Sequence, residues 1–307
     1  VNFNDDLTQS SITDIHQSRN GEIWIATQEG LNRYNGHSIR TYRHSPSEVA
    51  TLASDAITGI AETSDGSLWL ATINGGLSRH IPHSDSFKNY KTSKGSDSLP
   101  STDVYAILAD RRDQVWIGYE GGISALLPDH KTFLHFRPGR AGLKEIGLVT
   151  SFAENPEGNV WASSSEGFLF LFSSSMEVKK KLNLNKLVEH AGANIQPTHI
   201  LQHGANLWVG TLNHGAIRIS LTTNEAESYT SESALGALPS DTVYELFIDD
   251  RNNVWLGTNS VLAILSVKEQ SVETYTTEDT PLPAPRITAL TQSSDGTTEG
   301  ARQAMSK

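Results

Sequence analysis

Trp24-Ile25-Ala26-Thr27 decides the fold, because near-copies return as Trp69-Leu70-Ala71-Thr72, Trp116-Ile117-Gly118-Tyr119, Trp208-Val209-Gly210-Thr211 and Trp255-Leu256-Gly257-Thr258. The remaining tryptophan, Trp161, opens a degenerate copy, Ala162-Ser163-Ser164. All six tryptophans fall in this series, with gaps of 45, 47, 45, 47 and 47 residues. A fixed period in the forties marks a supersecondary unit repeated in tandem, each copy burying its apolar face against the next.

Each copy has the same internal order. Twelve residues before the tryptophan stands Ile12, Ile57, Val104, Val149 or Val243, and nine before it Ile15, Ile60, Ile107, Phe152 or Leu246. These mark a short apolar strand. A polar turn follows, Asn20-Gly21, Asp65-Gly66 or Glu157-Gly158, pairs that suit a two-residue hairpin loop. The tryptophan strand comes next, then a glycine-bearing loop and a third strand such as Gly30-Leu31-Asn32-Arg33-Tyr34. A more polar fourth strand ends on Tyr42, Tyr90, Phe136, Tyr229 or Tyr275. Four strands in about 45 residues are the mark of a propeller blade. The expected fold is an all-β propeller of four-stranded antiparallel blades, with six complete repeats and an incomplete seventh.

Repeats one to three and six are well formed; the fourth is degenerate after its tryptophan, and the fifth has a hairpin one residue shorter, Gln202 to Leu207. Residues 1–296 read as one domain. Leu7 precedes Ile12 by the five residues that separate Leu52 from Ile57, so the N-terminal segment is expected to give an outer strand to the last blade. Ile287-Thr288-Ala289-Leu290 and Asp295-Gly296 begin a seventh repeat, but Glu299 stands where its tryptophan is due. Residues 297–307 are expected to be a non-repeat tail, truncated or foreign.

Net charge is −11, which argues against nucleic acid or an anionic membrane as partner, since both need clustered Lys and Arg. The one basic run, Lys179-Lys180-Lys181, reads as a solvated edge strand or turn. There is no cysteine, hence no disulfide or thiolate chemistry. No apolar run approaches the ~18 residues of a membrane helix. The N-terminus lacks the basic start and apolar core of a signal peptide, so either the protein is cytosolic or a leader is missing.

Leu99-Pro100-Ser101-Thr102-Asp103-Val104-Tyr105 through Trp116-Ile117-Gly118, and Leu238-Pro239-Ser240-Asp241-Thr242-Val243-Tyr244 through Trp255-Leu256-Gly257-Thr258, resemble two-component regulator propeller repeats. The resemblance spans about residues 1–296. It implies the periplasmic sensor region of a bacterial membrane signalling protein, whose output module is a histidine kinase, a hybrid two-component system or a diguanylate cyclase. It also implies an oligosaccharide or other small ligand, and a neighbouring propeller or homodimer partner. None of the downstream modules is in this chain, which is itself expected to be non-catalytic. A protein-interaction scaffold is the alternative, followed by a propeller lyase or hydrolase.

The six tryptophans, Trp24, Trp69, Trp116, Trp161, Trp208 and Trp255, are expected to form the core: six rings in one repeated slot suit blade packing better than sugar stacking. Among eleven histidines, the pairs His80/His83 and His199/His203 lie in strand or turn context, and no carboxylate completes a zinc spacing, so neither metal nor cofactor is expected. There is no nucleophile elbow or phosphate loop, and Asp249-Asp250 and Asp5-Asp6 read as solvated turns. Ligand contacts are sought on the loops after the tryptophan strands, at Gln28, Glu29, Asn74, Tyr119, Glu120, Glu166, Asn213, His214 and Asn259. Tyr119 replaces the threonine found in four other repeats and offers a ring for a sugar, with Glu and Asn nearby for its hydroxyls.

Overall fold

The computed structural model describes residues 7–9, 11–93, 98–136, 146–188, 194–233, 237–276 and 286–291. Two compact units divide the chain: Val1–Val149 with Ser173–Glu177, and Thr150–Phe172 with Val178–Lys307.

The first unit holds three blades. Blade 1 is β1 (Ile12–Gln17), β2 (Ile23–Thr27), β3 (Gly30–Tyr34) and β4 (Ile39–Tyr42). Blade 2 is β5 (Ile57–Glu62), β6 (Leu68–Thr72), β7 (Gly76–Ile81) and β8 (Ser86–Tyr90). Blade 3 is β9 (Ala106–Ala109), β10 (Val115–Tyr119), β11 (Gly122–Leu126) and β12 (Phe133–Phe136). In each the strands are hydrogen-bonded antiparallel in chain order.

Blades 4 to 6 fall almost wholly in the second unit. Blade 4 is β13 (Val149–Glu154), β14 (Val160–Ser164), β15 (Phe168–Phe172) and β16 (Val178–Asn183), followed by the one-turn helix α1 (Leu184–Leu187). Blade 5 is β17 (Pro197–His203), β18 (Asn206–Thr211), β19 (Ala216–Ser220) and β20 (Ala226–Tyr229). Blade 6 is β21 (Val243–Ile248), β22 (Val254–Thr258), β23 (Leu262–Ser266) and β24 (Ser271–Tyr275). The architecture is an all-β propeller of four-stranded antiparallel blades, six of them among the described residues. The degenerate fourth repeat completes its blade, and the lysine run lies on β16, at the free edge of its sheet, where charged side chains discourage edge-to-edge pairing.

All six tryptophans are buried, as expected. Trp24 packs with Leu31, Tyr42, Leu52 and Ile57 between blades 1 and 2; Trp69 with Leu77, Leu99, Val104 and Ile117 between blades 2 and 3. In the second unit Trp161 joins Leu182, Leu184, Ile195 and Ile200, and Trp208 joins Tyr229, Leu238 and Val243. The leucine of each Leu-Pro-Ser connector thus fills the layer between neighbouring blades.

The hairpin between the first and second strands is longer than expected. Ser18 N–H donates to Glu22 O at 2.9 Å and Gly21 N–H to Ser18 O at 2.8 Å, leaving a three-residue loop closed by a left-handed Gly21 (φ 87°). Asp113 and Asn252 take that conformation elsewhere (φ 60° and 64°). The shorter hairpin of blade 5 is the one with two loop residues, between paired His203 and Asn206.

The position six before the tryptophan fastens this turn. The indole N–H of Trp69 donates to Thr63 Oγ1 at 3.1 Å, that of Trp116 to Asp110 Oδ2 at 3.0 Å, and that of Trp255 to Asp249 Oδ2 at 3.0 Å. Asp249 is therefore not a solvated turn residue: it is 7% exposed and also accepts from the N–H groups of Arg251 and Asn253. A buried indole N–H needs an acceptor, and a short polar side chain in the turn supplies it.

A second repeated device joins successive blades. The first strands bulge at Thr13, Thr58 and Thr198. Each bulged threonine donates to a carbonyl at the start of the next blade: Thr13 to Ile57 O at 2.8 Å, Thr58 to Val104 O at 2.7 Å, and Thr198 to Val243 O at 2.5 Å.

Toward the C-terminus Ile287 packs against Trp255, and its N–H donates to Thr258 O at 2.9 Å, as Val104 N–H donates to Thr72 O at 3.0 Å. Residues 286–291 nonetheless form no strand, so the expected seventh blade is not formed among the described residues. Asp295-Gly296, the 297–307 tail and Asp5-Asp6 lie outside them. Leu7–Gln9 also form no strand; Thr8 is instead tied to blade 1, its N–H donating to Asn32 Oδ1 at 3.0 Å and its hydroxyl sharing a 2.8 Å bond with Thr27 Oγ1.

Candidate functional site

Four of the loops after the tryptophan strands are held by a threonine that ends the strand. Thr27 Oγ1 donates to Gly30 O at 2.9 Å, Thr72 Oγ1 to Gly76 O at 3.0 Å, Thr211 Oγ1 to Gly215 O at 2.9 Å and Thr258 Oγ1 to Val261 O at 2.6 Å. That clip explains why the motif ends in threonine. Gly76 is required beyond it: φ is 79°, and a Cβ there would lie 2.5 Å from Tyr90 O. The connector of the next blade binds the same loop, Gly76 N–H donating to Thr102 O and Asn74 N–H to Asp103 Oδ1, each at 2.8 Å.

In the first unit the two clipped loops present Gln28, Glu29 and Asn74 as exposed side chains, and the loop after β10, which has no clip, presents Glu120. Asn74 has φ 63°, a conformation that asparagine tolerates. Tyr119 is placed differently. It lies in β10 rather than in the loop, is 4% exposed, and packs in the core with Val115, Ile117 and Leu126; its ring offers no face to a sugar. Its hydroxyl accepts from Ser124 Oγ at 3.1 Å. The ring fills the place of the threonine clip, against Gly122, where a Cβ would come within 2.6 Å of it. Period-two alternation from Val115 and Ile117 was the signal for that burial.

In the second unit Glu166, Asn213 and Asn259 are exposed and His214 is half-buried. Asn213 belongs to an amide network. Its Nδ2 donates to Asn194 O at 2.9 Å and its Oδ1 accepts from Gln196 N–H at 3.3 Å. Asn185 Nδ2 donates to Asn194 Oδ1 at 2.8 Å, while Asn185 Oδ1 accepts from Ile195 N–H at 2.7 Å. Sequence reading passed over Asn185 and Asn194, which stand outside the tryptophan register. In blade 4 serine replaces the threonine clip, and the buried Ser164 Oγ has no hydrogen-bond partner.

Perturbed ionisation is found on the blade framework. His80 lies on β7, 2% exposed, with Nε2 2.8 Å from Asp85 Oδ1; burial pulls its pKa down, against the pull of Asp85. Asp85 also accepts from Tyr42 OH at 2.8 Å and pairs with Arg40 at 2.5 Å. Burial, reinforced by that hydrogen bond, raises the Tyr42 hydroxyl well above its usual range. Arg33 stacks over Trp24 at 5.5 Å and Arg79 over Trp69 at 5.3 Å, each from the cross-strand position. His–carboxylate contacts also link first strands of adjacent blades, His16 to Glu62 at 3.1 Å and His199 to Glu245 at 3.0 Å. Among the described residues no group of three or more His, Asp or Glu could hold a metal ion, and no helix is long and apolar enough to cross a membrane.

Comparison with known proteins places four segments, 6–29, 51–74, 98–121 and 237–260, in the two component regulator propeller family. They are repeats one, two, three and six, those that keep the whole motif. Histidine kinase P4 of Formosa agariphila is 39% identical over 49 residues, 16% of this chain and 4% of that protein. The extracellular domain of a protein named as a hybrid two component system of B. thetaiotaomicron superposes with a TM-score of 0.71 at 20% identity, over 94% of this chain and 39% of that one. PorZ, an essential surface component of the type-IX secretion system of Porphyromonas gingivalis, gives 0.71 at 17% identity, over 94% of this chain and 46% of that one. At those identities the likeness is one of fold, and this chain spans less than half of each.

Proposed function

We propose that this chain, whose blades carry two component regulator propeller repeats, is the sensing portion of a membrane signalling protein, placed outside the cytoplasm. The observation that carries the reading is where polar side chains stand in each unit: Gln28, Glu29, Asn74 and Glu120 in the first, and Glu166, Asn213 and Asn259 in the second, are exposed on loops after buried tryptophan strands, with threonine clips on four of the six loops. Ligand contacts commonly sit on loops held by a rigid scaffold. Uncharged amides and carboxylates suit a hydroxyl-rich ligand, and an oligosaccharide is the class we assign. Relatives named as a histidine kinase and a hybrid two component system support a signalling context.

Binding would act by favouring one arrangement of this propeller with a neighbouring propeller or a second copy, because a ligand shifts an equilibrium only by its differential affinity for the two states. A thermal-shift screen against oligosaccharides grouped by linkage tests this. The reading expects one class to raise the melting temperature, since binding stabilises the folded state by mass action. No shift from any class, with the protein self-associating or capturing a protein partner, favours the second reading, an interaction scaffold. The PorZ likeness, equal in TM-score to that of the hybrid system, supports that alternative.

A further inference from the structure

Three Asn-Gly pairs lie among the described residues: Asn20-Gly21, Asn35-Gly36 and Asn74-Gly75. This dipeptide is open to a self-reaction, because glycine puts no side chain in the way of its own backbone nitrogen. The Gly nitrogen attacks the Asn Cγ, an N–C bond forms, and the Cγ–Nδ2 bond breaks. The glycine amide proton is lost to solvent and the nitrogen leaves as ammonia. Water then opens the succinimide at either carbonyl, giving aspartate or isoaspartate. No oxidant or reductant is involved. The reaction needs a backbone free to bring the two atoms together, and the three sites differ in that respect.

At Asn20-Gly21 the attacking nitrogen is engaged, Gly21 N–H donating to Ser18 O at 2.8 Å. Both amide atoms of Asn20 are engaged too: Oδ1 accepts from Ser18 Oγ at 2.6 Å and Glu22 N–H at 3.1 Å, and Nδ2 donates to Glu22 Oε2 at 2.9 Å. At Asn74-Gly75 the glycine is buried, and a Cβ on it would lie 2.6 Å from Thr72 Oγ1 and 2.9 Å from Ala53. Backbone bonds to Asp103 and Thr102 fasten that loop on both sides.

At Asn35-Gly36 the amide oxygen is bonded too, but among the described residues neither the amide nitrogen nor the attacking glycine nitrogen is engaged. It forms the exposed turn between β3 and β4, Gly36 has φ 92°, nothing lies within 4 Å of where its Cβ would be, and among the described residues its N–H has no acceptor, its carbonyl alone being bonded, to Tyr34 OH at 2.9 Å. Asn35 Oδ1 accepts from the N–H groups of His37 at 3.0 Å and Ser38 at 2.9 Å, which draws electrons from the carbon under attack and leaves Nδ2 to depart into solvent. We infer that Asn35-Gly36 is a site of spontaneous covalent modification, converting to aspartate and isoaspartate in the folded protein while Asn20 and Asn74 keep their amides. Conversion adds one negative charge, and the isoaspartyl form adds a backbone carbon to the turn after Tyr34, which pairs with Ile39.

Incubation of the folded chain at mildly alkaline pH, then tryptic digestion and mass spectrometry, reads the outcome directly. Cleavage after Arg33 and Arg40 releases Tyr34–Arg40, which carries this Asn-Gly pair alone. The expected result is the peptide gaining the mass difference between hydroxyl and amine, in two chromatographic forms, with the Asn20 and Asn74 peptides unchanged. In urea all three are expected to convert. Asn35 remaining an amide through an incubation that converts the unfolded chain overturns the inference, as does conversion of Asn20 or Asn74 in the folded chain at the pace of Asn35. The variant Asn35→Gln should leave its peptide unmodified; a mass gain there would place the reaction elsewhere.

Discussion

Trp255 and Asp249 meet across a hairpin turn, the indole N–H 3.0 Å from Oδ2, with both residues almost wholly buried. The acid also gathers the N–H groups of Arg251 and Asn253 and the Asn253 side chain. One carboxylate thus shapes the turn and satisfies the tryptophan behind it. Asp249→Ala leaves those donors without their acceptor and should cost about 1–3 kcal/mol, read as a lower urea midpoint at neutral pH. Asp249→Asn, which keeps an oxygen for the turn, should cost less.

The same carboxylate sets an acid limit. Burial alone would raise its pKa, but hydrogen bonds from Trp255, Asn253 and Arg251 outweigh burial and hold it below the usual carboxylate range. A folded pKa below the unfolded one stabilises the fold above the unfolded value of about 4 and loses that contribution as pH falls through the folded value. Melting curves from pH 5 downward should fall more steeply for the wild type than for Asp249→Ala.

His80 gives a second, separate pH dependence. Burial lowers its pKa from 6.5, opposed by Asp85 and Glu22 and assisted by Arg33. The fold therefore favours the neutral imidazole, packed 4.9 Å from Trp24 and 5.3 Å from Phe87 by ring centroids. Its contribution is complete above the unfolded pKa and lost as pH drops through the folded one. The wild type should lose melting temperature between pH 7 and 5, and His80→Leu should show a shallower slope over that window whatever its absolute stability.

Trp69→Ala should destabilise by roughly 3–5 kcal/mol, the range for large aromatic truncations in cores. Trp69 is fully buried among Leu77, Leu99 and Ile117, with Arg79 over its face. An unchanged denaturant midpoint would remove it from the core.

Thr58→Val keeps shape and deletes one bond between blades, the donation to Val104 O. The expected cost is about 1 kcal/mol, measured against Thr198→Val as the equivalent site of the second unit.

Much of this was legible in the sequence, since a period repeated six times reports the same packing slot six times. Ile12, Ile57, Val149 and Val243 each open a first strand where the spacing puts them. Val104 does not: it is buried and bonded to Thr72, and the strand begins at Ala106. The anchors six residues before the tryptophan, Thr63, Asp110 and Asp249 among them, were in view but differ in type, and an acid beside a turn reads as solvated until its indole partner is seen. Tyr119 misled because a loop aromatic suggests a ligand, whereas strand alternation turns that ring inward. The Asn185–Asn194–Asn213 network joins a residue of the one-turn helix α1 to two loop residues, a proximity that repeat spacing does not encode.

Calorimetric titration of the oligosaccharide class that stabilises the folded chain, carried out on the wild type and on Gln28→Ala/Glu29→Ala/Glu120→Ala in the first unit, tests the central claim most directly. These three side chains are exposed and off the threonine clips, so the variant should melt like the wild type. The account predicts binding heat for the wild type and none for the variant. Full-affinity binding by the variant, or no heat from any class with the wild type, would contradict it.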